Sequence, residues 1–556
     1  VYQMAFSGQA IVEVQTGGDD TNNGGIFDPG VSGFATDGAA TSATGTAPVF
    51  SSASYNFVAG DVGAWVFIKS GTNWIPGWYK IASVAANAAT LNAASGAGVT
   101  YASTTKAWYM PTSSAGCATV ASPTAATWGI DYSQQAASQF SSTTFSIDAS
   151  VNTTLRDGTN TIGKNWIGNS VSITTGTGFT VQRVVVQSTS GTAATVDKSL
   201  GTLGSTNGTG KFGGAIASPG LMGSLLTVTG MAGFIKSGSY SITSASTNVS
   251  GGCITANTSI NQIYIVGYNS VRMDFGTRPL LTASGISTFT IINCSSTGAG
   301  WFVANIAVDG GSLTSSAGII TSRTGSSQMR NKASNCKNVG LSSQVLLNCE
   351  ATGCSTTAPA ILFTISAIAC ESHGNSVTGI DGAGTGLTTA VDCLSYSNTG
   401  ASSDGFGALV FVLANCTAYG NGRNGFSGSN NGSFQYAYNC IAEANASYGF
   451  SPQGGNNAPL ALTNFATYNN TSGAVLYGNG TGQRAVNVNP IAGPSSFFVN
   501  AAGGNFALNN VTGAGAACRA AGYVSSFPSG TTVNYADIGA AQSRAVRNLT
   551  HGGTLA

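Results

Sequence analysis

Between residues 348 and 470 an apolar or small side chain alternates with a polar one over short runs, breaks, and returns. The repeat is keyed by Asn348-Cys349, Ala369-Cys370, Asp392-Cys393, Asn415-Cys416 and Asn439-Cys440, at steps of 21, 23, 23 and 24 residues. A sixth copy, Asn464-Phe465, follows 25 residues on. Two positions after each key residue stands a small residue: Ala351, Ser372, Ser395, Ala418, Ala442, Thr467. Five positions after it stand Cys354, then Asn375, Asn398, Asn421, Asn445 and Asn470. A period in the low twenties, without helix-forming composition, predicts a coil of short strands. The side-chain period of two puts Leu347, Cys349 and Ala351 inside and Asn348, Glu350 and Thr352 outside. Coils stacked at about 4.8 Å pile equivalent residues into columns. The columns are one of cysteine (Cys349, Cys370, Cys393, Cys416, Cys440), one of small residues, and one of asparagine at the turn. Asparagine tolerates left-handed backbone there, and stacked amides bond rung to rung. The pattern predicts a parallel β-helix.

Upstream the pattern changes. Residues 62–92 align without a gap to 167–197: Val62-Gly63 with Ile167-Gly168, Gly71-Thr72 with Gly176-Thr177, Trp74 with Phe179. Each copy reads as strands separated by glycine turns, so two similar β modules are expected. Asp131–Gln135 between them is expected to form a short helix, and residues 1 to about 50 to be loop-like. Six of the seven tryptophans lie here, at Trp65, Trp74, Trp78, Trp108, Trp128 and Trp166, and the seventh is Trp301. That density suits either assembly contacts or a local core. The coil is expected to begin at 214–250. Cys253, Cys294 and Cys336 follow at intervals of two rungs, with Asn331 in the key column and Cys336 beneath Cys354. Residues 488–542 read as a terminal cap that closes the open edge. A polar tail with Arg544 and Arg547 follows at 543–556.

Composition narrows the function. Charged residues are 7% of the 556, the formal net charge is +1, and no basic run occurs. Nucleic-acid binding by counterion release is therefore not expected. No run of about 18 apolar residues is present, so no membrane insertion is expected. Val1–Val14 has no basic n-region with a long apolar core, so no signal peptide is expected. Nine of the 11 cysteines lie between Cys253 and Cys440. A disulfide ladder or metal site is one reading; a column of buried thiols used as small hydrophobes is the reading the spacing favours. No metal and no cofactor are expected. Asp19 and Asp20 would hold a cation only as an alternative to a solvated turn.

The outward columns carry the candidate chemistry. Three positions after the key residue lie His373, Tyr396, Tyr419, Glu443 and Tyr468, a stripe that contacts glycan or a neighbouring subunit, or stacks on its own sheet. One position after it lie Glu350 and Glu371, on adjacent rungs, with His373 and Asp392 expected near. Two carboxylates about 5 Å apart are the arrangement of a retaining glycosidase; the alternative is a polar patch that discourages edge aggregation. A Ser/His/Asp triad is disfavoured, since the second histidine, His551, lies in the tail. No phosphate loop, zinc cluster or nucleotide fingerprint appears.

The coil and the ending "NPIAGPSSFFVNAAGGNFAL…ADIGAAQ" resemble the right-handed parallel β-helix superfamily of pectate-lyase type, over roughly residues 214 to 542. The stretches "EVQTGGDDTNNGGIFDPG", "GIDYSQQAASQF" and "GGAIASPGLMG" are similar in style to β-helix virion proteins of environmental tailed phages. The resemblance implies an all-β chain: a right-handed single-stranded parallel β-helix with an N-terminal β-rich head made of two similar modules. Its expected parts are 1–130 and 131–213 for the modules, 214–487 for the coil, 488–542 for the cap and 543–556 for the tail. It further implies a protein of the virion surface, a tailspike or fibre or a capsid decoration. Such β-helices commonly assemble as homotrimers; the aromatic-rich N-terminal half is expected to meet other virion proteins, and a host surface glycan is a further expected partner. The family's arginine-rich catalytic motif and calcium-binding carboxylates have no clear match, so enzymatic activity is not implied. A polysaccharide lyase or glycoside hydrolase on the same scaffold, and a secreted bacterial adhesin, remain as alternatives.

Overall fold

The computed structural model describes residues 10–539 apart from 23–24, 42–48, 93–122, 256–261, 287, 295–299, 312–314, 322–323, 356–357, 384–386, 408, 429–434, 452–459, 477–484, 520, 523–530, 533–534 and 537. Trp108, Cys117, His551 and the tail 543–556 lie outside the described residues. Two compact units are present, one of residues up to Tyr240 with Ser246–Pro279, the other of Ser241–Ala245 with Leu280 onward. The division thus falls inside the stretch 214–487 that the sequence treats as one coil.

The first unit holds two closed six-stranded barrels. One is built from Ala35–Thr41, Val49–Ser51, Trp65–Thr72, Gly77–Ala85, Ala88–Asn92 and Thr124–Asp131. The other is built from Phe140–Ile147, Thr154–Asp157, Ser170–Thr175, Gln182–Ser190, Ala193–Val196 and Gly208–Phe212, in the same ring order. The duplication is visible in the backbone as well. Gly63 and Gly168 share φ of 89° and 85°, Gly71 and Gly176 share 152° and 143°. A side chain at Gly71 or Gly176 would also strike an aromatic ring, that of Trp74 or Phe179. The described barrel tryptophans are core. Phe50 lies 5.5 Å from Trp74 and 5.4 Å from Trp128, and Trp166 stacks 4.6 Å from Phe212. All five are buried, which removes them as assembly contacts.

Two expectations for this unit fail, and one element was not anticipated. Ile11–Val14 is a strand, paired in parallel with Ala232–Lys236, where a loop was expected. Its four consecutive buried residues mask the alternation that marks a half-buried strand. Asp131–Gln135 forms no helix; Asp131 ends a barrel strand and its Oδ1 accepts from the Ser133 N–H at 2.8 Å, an Asx turn. Pro219–Leu225 is a helix, capped by the Ser218 hydroxyl with proline in its first turn.

A buried ionic cluster ties the first barrel to the first rungs. Arg272 donates Nε to Glu13 at 2.9 Å, Nη1 to Asp131 at 2.9 Å and Nη2 to the Ser133 hydroxyl at 2.6 Å. Trp78 Nε1 also reaches Asp131, at 3.1 Å, and the Tyr268 hydroxyl donates to Glu13. The side chains of Arg272, Glu13 and Asp131 are fully buried. One cation faces two carboxylates, and burial lifts the Glu13 carboxyl to about 7 against the pull of Arg272 and Tyr268.

The second unit is a parallel β-helix. Glu350–Thr352 pairs with Glu371–His373, that with Leu394–Tyr396, then Thr417–Tyr419, Ile441–Glu443 and Leu460–Tyr468, in unbroken parallel register. Two left-handed residues bound each of these strands. Before the key residue they are Asn348, Ala369, Asp392, Asn415, Asn439 and Asn464, with φ between 49° and 55°. Four positions after it they are Gly353, Gly374, Ser397, Gly420, Ala444 and Asn469. The first set breaks the alternation. Leu346, Cys349 and Ala351 are buried and Leu347 turns outward, which corrects the inward placement of Leu347. A left-handed corner consumes one residue, so inward positions across it are three apart.

The key cysteines bridge that corner. Cys349, Cys370, Cys393, Cys416 and Cys440 each direct Sγ to the carbonyl two residues back, at 3.2–3.4 Å. The five key cysteines are buried thiols, and burial pushes those of Cys349, Cys370, Cys393 and Cys416 far up. The asparagines five positions on are not the left-handed residues. They form an interior ladder: Nδ2 of Asn375, Asn398, Asn421 and Asn445 donates to Oδ1 of the next at 2.8–2.9 Å, ending on Asn470. Phe406, Phe426 and Phe450 stack inside at 4.9 and 4.7 Å. The boundary expected at 488 falls within the last rung, Ala485–Ala492, which pairs with Leu460–Tyr468.

Candidate functional site

The strands that follow the key residues make one outward face of the coil. Their first positions stack as Lys332, Glu350, Glu371, Leu394, Thr417, Ile441 and Ala466. Their third positions stack as Thr352, His373, Tyr396, Tyr419, Glu443 and Tyr468. The face changes character at Leu394 and Tyr396. Below them it is polar; from there upward it is apolar and aromatic.

In the polar part the structure brings Glu350, Glu371, His373 and Tyr396 together. Glu350 and Glu371 are direct register partners. Glu350 Oε1 accepts from Lys332 Nζ at 2.7 Å and lies 3.3 Å from His373 Nε2. Nδ1 of the same ring lies 3.4 Å from the Thr352 hydroxyl. His373 stacks on Tyr396 with centroids 4.9 Å apart and planes 10° from parallel. Tyr396 in turn donates its hydroxyl to Glu371 at 3.1 Å. Asp392 is not part of this group. It occupies the left-handed corner and accepts from Asn415 Nδ2 at 2.9 Å. His373 and Lys332 hold the Glu350 carboxyl down to about 2. A general acid needs its proton held more tightly than usual, so the shift at Glu350 has the wrong sign for one.

The aromatic part is covered by the chain's own C-terminal segment. Phe497, Phe498 and Phe506 seat against it with Leu394, Ile441 and Ala466, and Tyr396, Tyr419 and Tyr468 are half-buried beneath. Phe506 lies 4.8 Å from the Tyr396 ring and 5.7 Å from Tyr419, and Phe497 lies 6.5 Å from Tyr468. Glu443 anchors the segment: its Oε2 accepts the Phe497 N–H at 3.0 Å, and burial raises its carboxyl. Farther on, Gly539 N–H bonds the Asn439 carbonyl at 2.8 Å. The segment read as a cap across the open edge therefore lies along the flank. The tyrosines read as an exposed glycan or subunit stripe are its seat.

Lys332 was missed as a participant, although it was legible, and Glu443, placed on the outward stripe, was not read as an anchor. Lys332 follows Asn331, a key-column residue, by one position, which sets it beside Glu350. Glu443 interrupts a tyrosine column, and a carboxylate under an aromatic lid needs a donor from the lid. Asp19 and Asp20 hold protein donors. Asp19 takes Lys211 Nζ at 2.8 Å, and Asp20 takes the Ala217 and Ser218 N–H groups at 3.1 and 2.9 Å. Among the described residues no three His, Cys, Asp or Glu side chains converge as a metal site. No helix among them is long and apolar enough to cross a membrane.

No family model matches the sequence, and no curated protein matches it. Among solved structures, the pectate lyase Pel9A is similar over 59% of this chain and 91% of its own, at 16% identity and a TM-score of 0.35. ORF18 of Geobacillus virus E2 is similar over 47% of this chain and 52% of its own, at 13% identity and 0.32. The tailspike protein gp49 from Pseudomonas phage LKA1 is similar over 64% of this chain and 62% of its own, at 10% identity and 0.15.

Proposed function

We propose that this chain is a structural protein of a tailed-phage particle. It serves as a rigid homotrimeric projection on the virion surface, as tailspike, fibre or capsid decoration. It attaches through its N-terminal half and offers the coil to the host surface and its glycans. The observation that carries the mechanical part is the amide ladder from Asn375 to Asn470, hydrogen-bonded at every step and buried from Asn375 to Asn445. A coil whose rungs are locked to one another inside resists bending and local opening, which is what a projection outside a cell needs. The location on a virion rests on the resemblance of the N-terminal stretches. Antibodies against the recombinant chain should label intact tailed particles, and the chain should be recovered from purified particles by mass spectrometry. Recovery only from the medium of uninfected bacteria would favour a secreted adhesin instead.

A second reading, a polysaccharide-degrading enzyme, is favoured by one observation, the register pairing of Glu350 and Glu371. It is opposed by the ion pairs that occupy Glu350. Release of reducing sugar from host surface polysaccharide, abolished by Glu371→Gln, would establish it; the expected result is no release by either protein.

A further inference from the structure

We infer that a second copy of this chain covers the outward face formed by the strands just before the left-handed corners, with Tyr436 and Val488 inside the contact. The inference rests on the homotrimer proposed above and names the surface that assembly uses. The face belongs wholly to the second unit and runs through nine rungs, from Phe302–Ala304 to Ala485–Ala492. Two columns run along it, facing outward except at the buried Phe302, Ala304, Val391 and Ala414. One passes through Val345, Thr389 and Val412, the other through Leu347, Ile368 and Tyr438.

Neither column contains a charged side chain among the described residues. Tyr436 is 51% exposed and Val488 43%, while Ile365 at 48% and Leu387 at 78% stand at the border. Single exposed apolar residues need no explanation, but a continuous uncharged strip of this length does. The neighbouring face shows the contrast. Where that one is apolar the C-terminal segment seats on it, and where it lacks that cover it carries Lys332, Glu350, Glu371 and His373. The strip before the corners carries no charge, only apolar residues with scattered Ser and Thr, and is exposed at Tyr436 and Val488.

Two features select a second copy over a foreign partner. An uncharged face meets its own duplicate without like-charge repulsion. Its side chains form ridges at the rung spacing of about 4.8 Å, and only a surface of equal pitch stays in step with them along the whole length. Another copy has that pitch by construction, and a globular partner does not. Thirteen described residues of the two columns keep some exposure, and with Ile365 and Leu387 they make 15, fewer than the roughly 20 a standard interface uses on each side, so the contact is a small one.

The test uses the full chain, with native mass spectrometry and light scattering on wild type, Tyr436→Asp, Val488→Asp and the exposed-turn control Ser376→Asp. Wild type and control should form the same closed oligomer. Each face variant should weaken association at least about tenfold, because it buries a lone charge in the contact. Both positions are solvent-exposed within the chain, so the circular dichroism and thermal unfolding of the monomer should be unchanged. If an Asp variant misfolds, Tyr436→Ser removes the ring without adding charge and gives the same readout. A monomeric wild type overturns the inference. An oligomer untouched by the face variants overturns it too, while leaving the trimeric reading in place. An oligomer that the variants dissolve, from a chain absent from particles, upholds the face and overturns the virion location.

Discussion

Asn421→Ala tests whether the amide ladder holds the coil together. Asn421 Oδ1 accepts from Asn398 Nδ2 at 2.8 Å and from the Asn398 N–H at 3.3 Å. Its Nδ2 donates to Asn445 Oδ1 at 2.9 Å and to the Ser395 carbonyl at 3.1 Å. Truncation removes all four bonds, but the loss is uneven. Asn398 Nδ2 keeps the Ser395 hydroxyl at 3.0 Å, and Asn445 Oδ1 keeps the backbone N–H of residue 421 at 3.1 Å. The Asn398 N–H and the Ser395 carbonyl, on fully buried residues, each lose a partner. At about 1–3 kcal/mol for each buried group so stripped, the expected cost is about 3 kcal/mol. If the ladder forms after the folding barrier, the whole cost appears as faster unfolding, about 100-fold. The assay is the unfolding rate in guanidinium, followed by circular dichroism. The comparison is Asn470→Ala, at the half-buried end of the ladder, where water replaces the lost partners and the change should be under about tenfold. Equal rates for the two variants would refute the ladder as the element that resists unfolding.

Other expectations follow from the same geometry. Arg272→Met leaves Glu13 and Asp131 buried with no cation and should cost roughly 3–5 kcal/mol in denaturant unfolding; a cost under about 1 kcal/mol would mean that the cluster is not buried as described. The Glu13 carboxyl, ordinarily 4.5, stands at about 7 in the folded chain. The folded state therefore binds the extra proton between those values, and stability is full below pH 4.5 and falls as pH rises through 7, by about 3 kcal/mol in all. Glu13→Gln should flatten that slope in a pH series of unfolding midpoints, and an unchanged slope would assign it elsewhere. Phe506→Ala should loosen the C-terminal segment at about 3–5 kcal/mol of local packing. Limited proteolysis should then cut within 497–518 while the coil stays resistant, and an unchanged digestion pattern would refute the seat on Tyr396 and Tyr419.

The repeat was legible because stacking imposes it. A residue on one rung has its counterpart on the next as its nearest neighbour, so a demand at one height recurs at all heights, and Cys349 to Cys440 or Asn375 to Asn470 record that demand in the sequence. The duplication of the barrels was legible for a related reason, since Gly71 and Gly176 must each clear an aromatic ring. What escaped notice depends on contacts that occur once. Arg272, Glu13 and Asp131 meet from three distant parts of the chain, and no period announces them. The corner geometry escaped for a subtler reason. Alternation through Leu347, Cys349 and Ala351 is what an unbroken strand would show, and a single left-handed Asn348 shifts the parity without altering composition. The same shift decides the functional reading. It turns Leu347, Ile368 and Tyr438 from core into surface and so creates the uncharged strip proposed as the contact between copies. Meanwhile Tyr396, Tyr419 and Tyr468, correctly placed on the outside by period, are withdrawn from partners by a segment whose own aromatic residues had no repeat to mark where they would land.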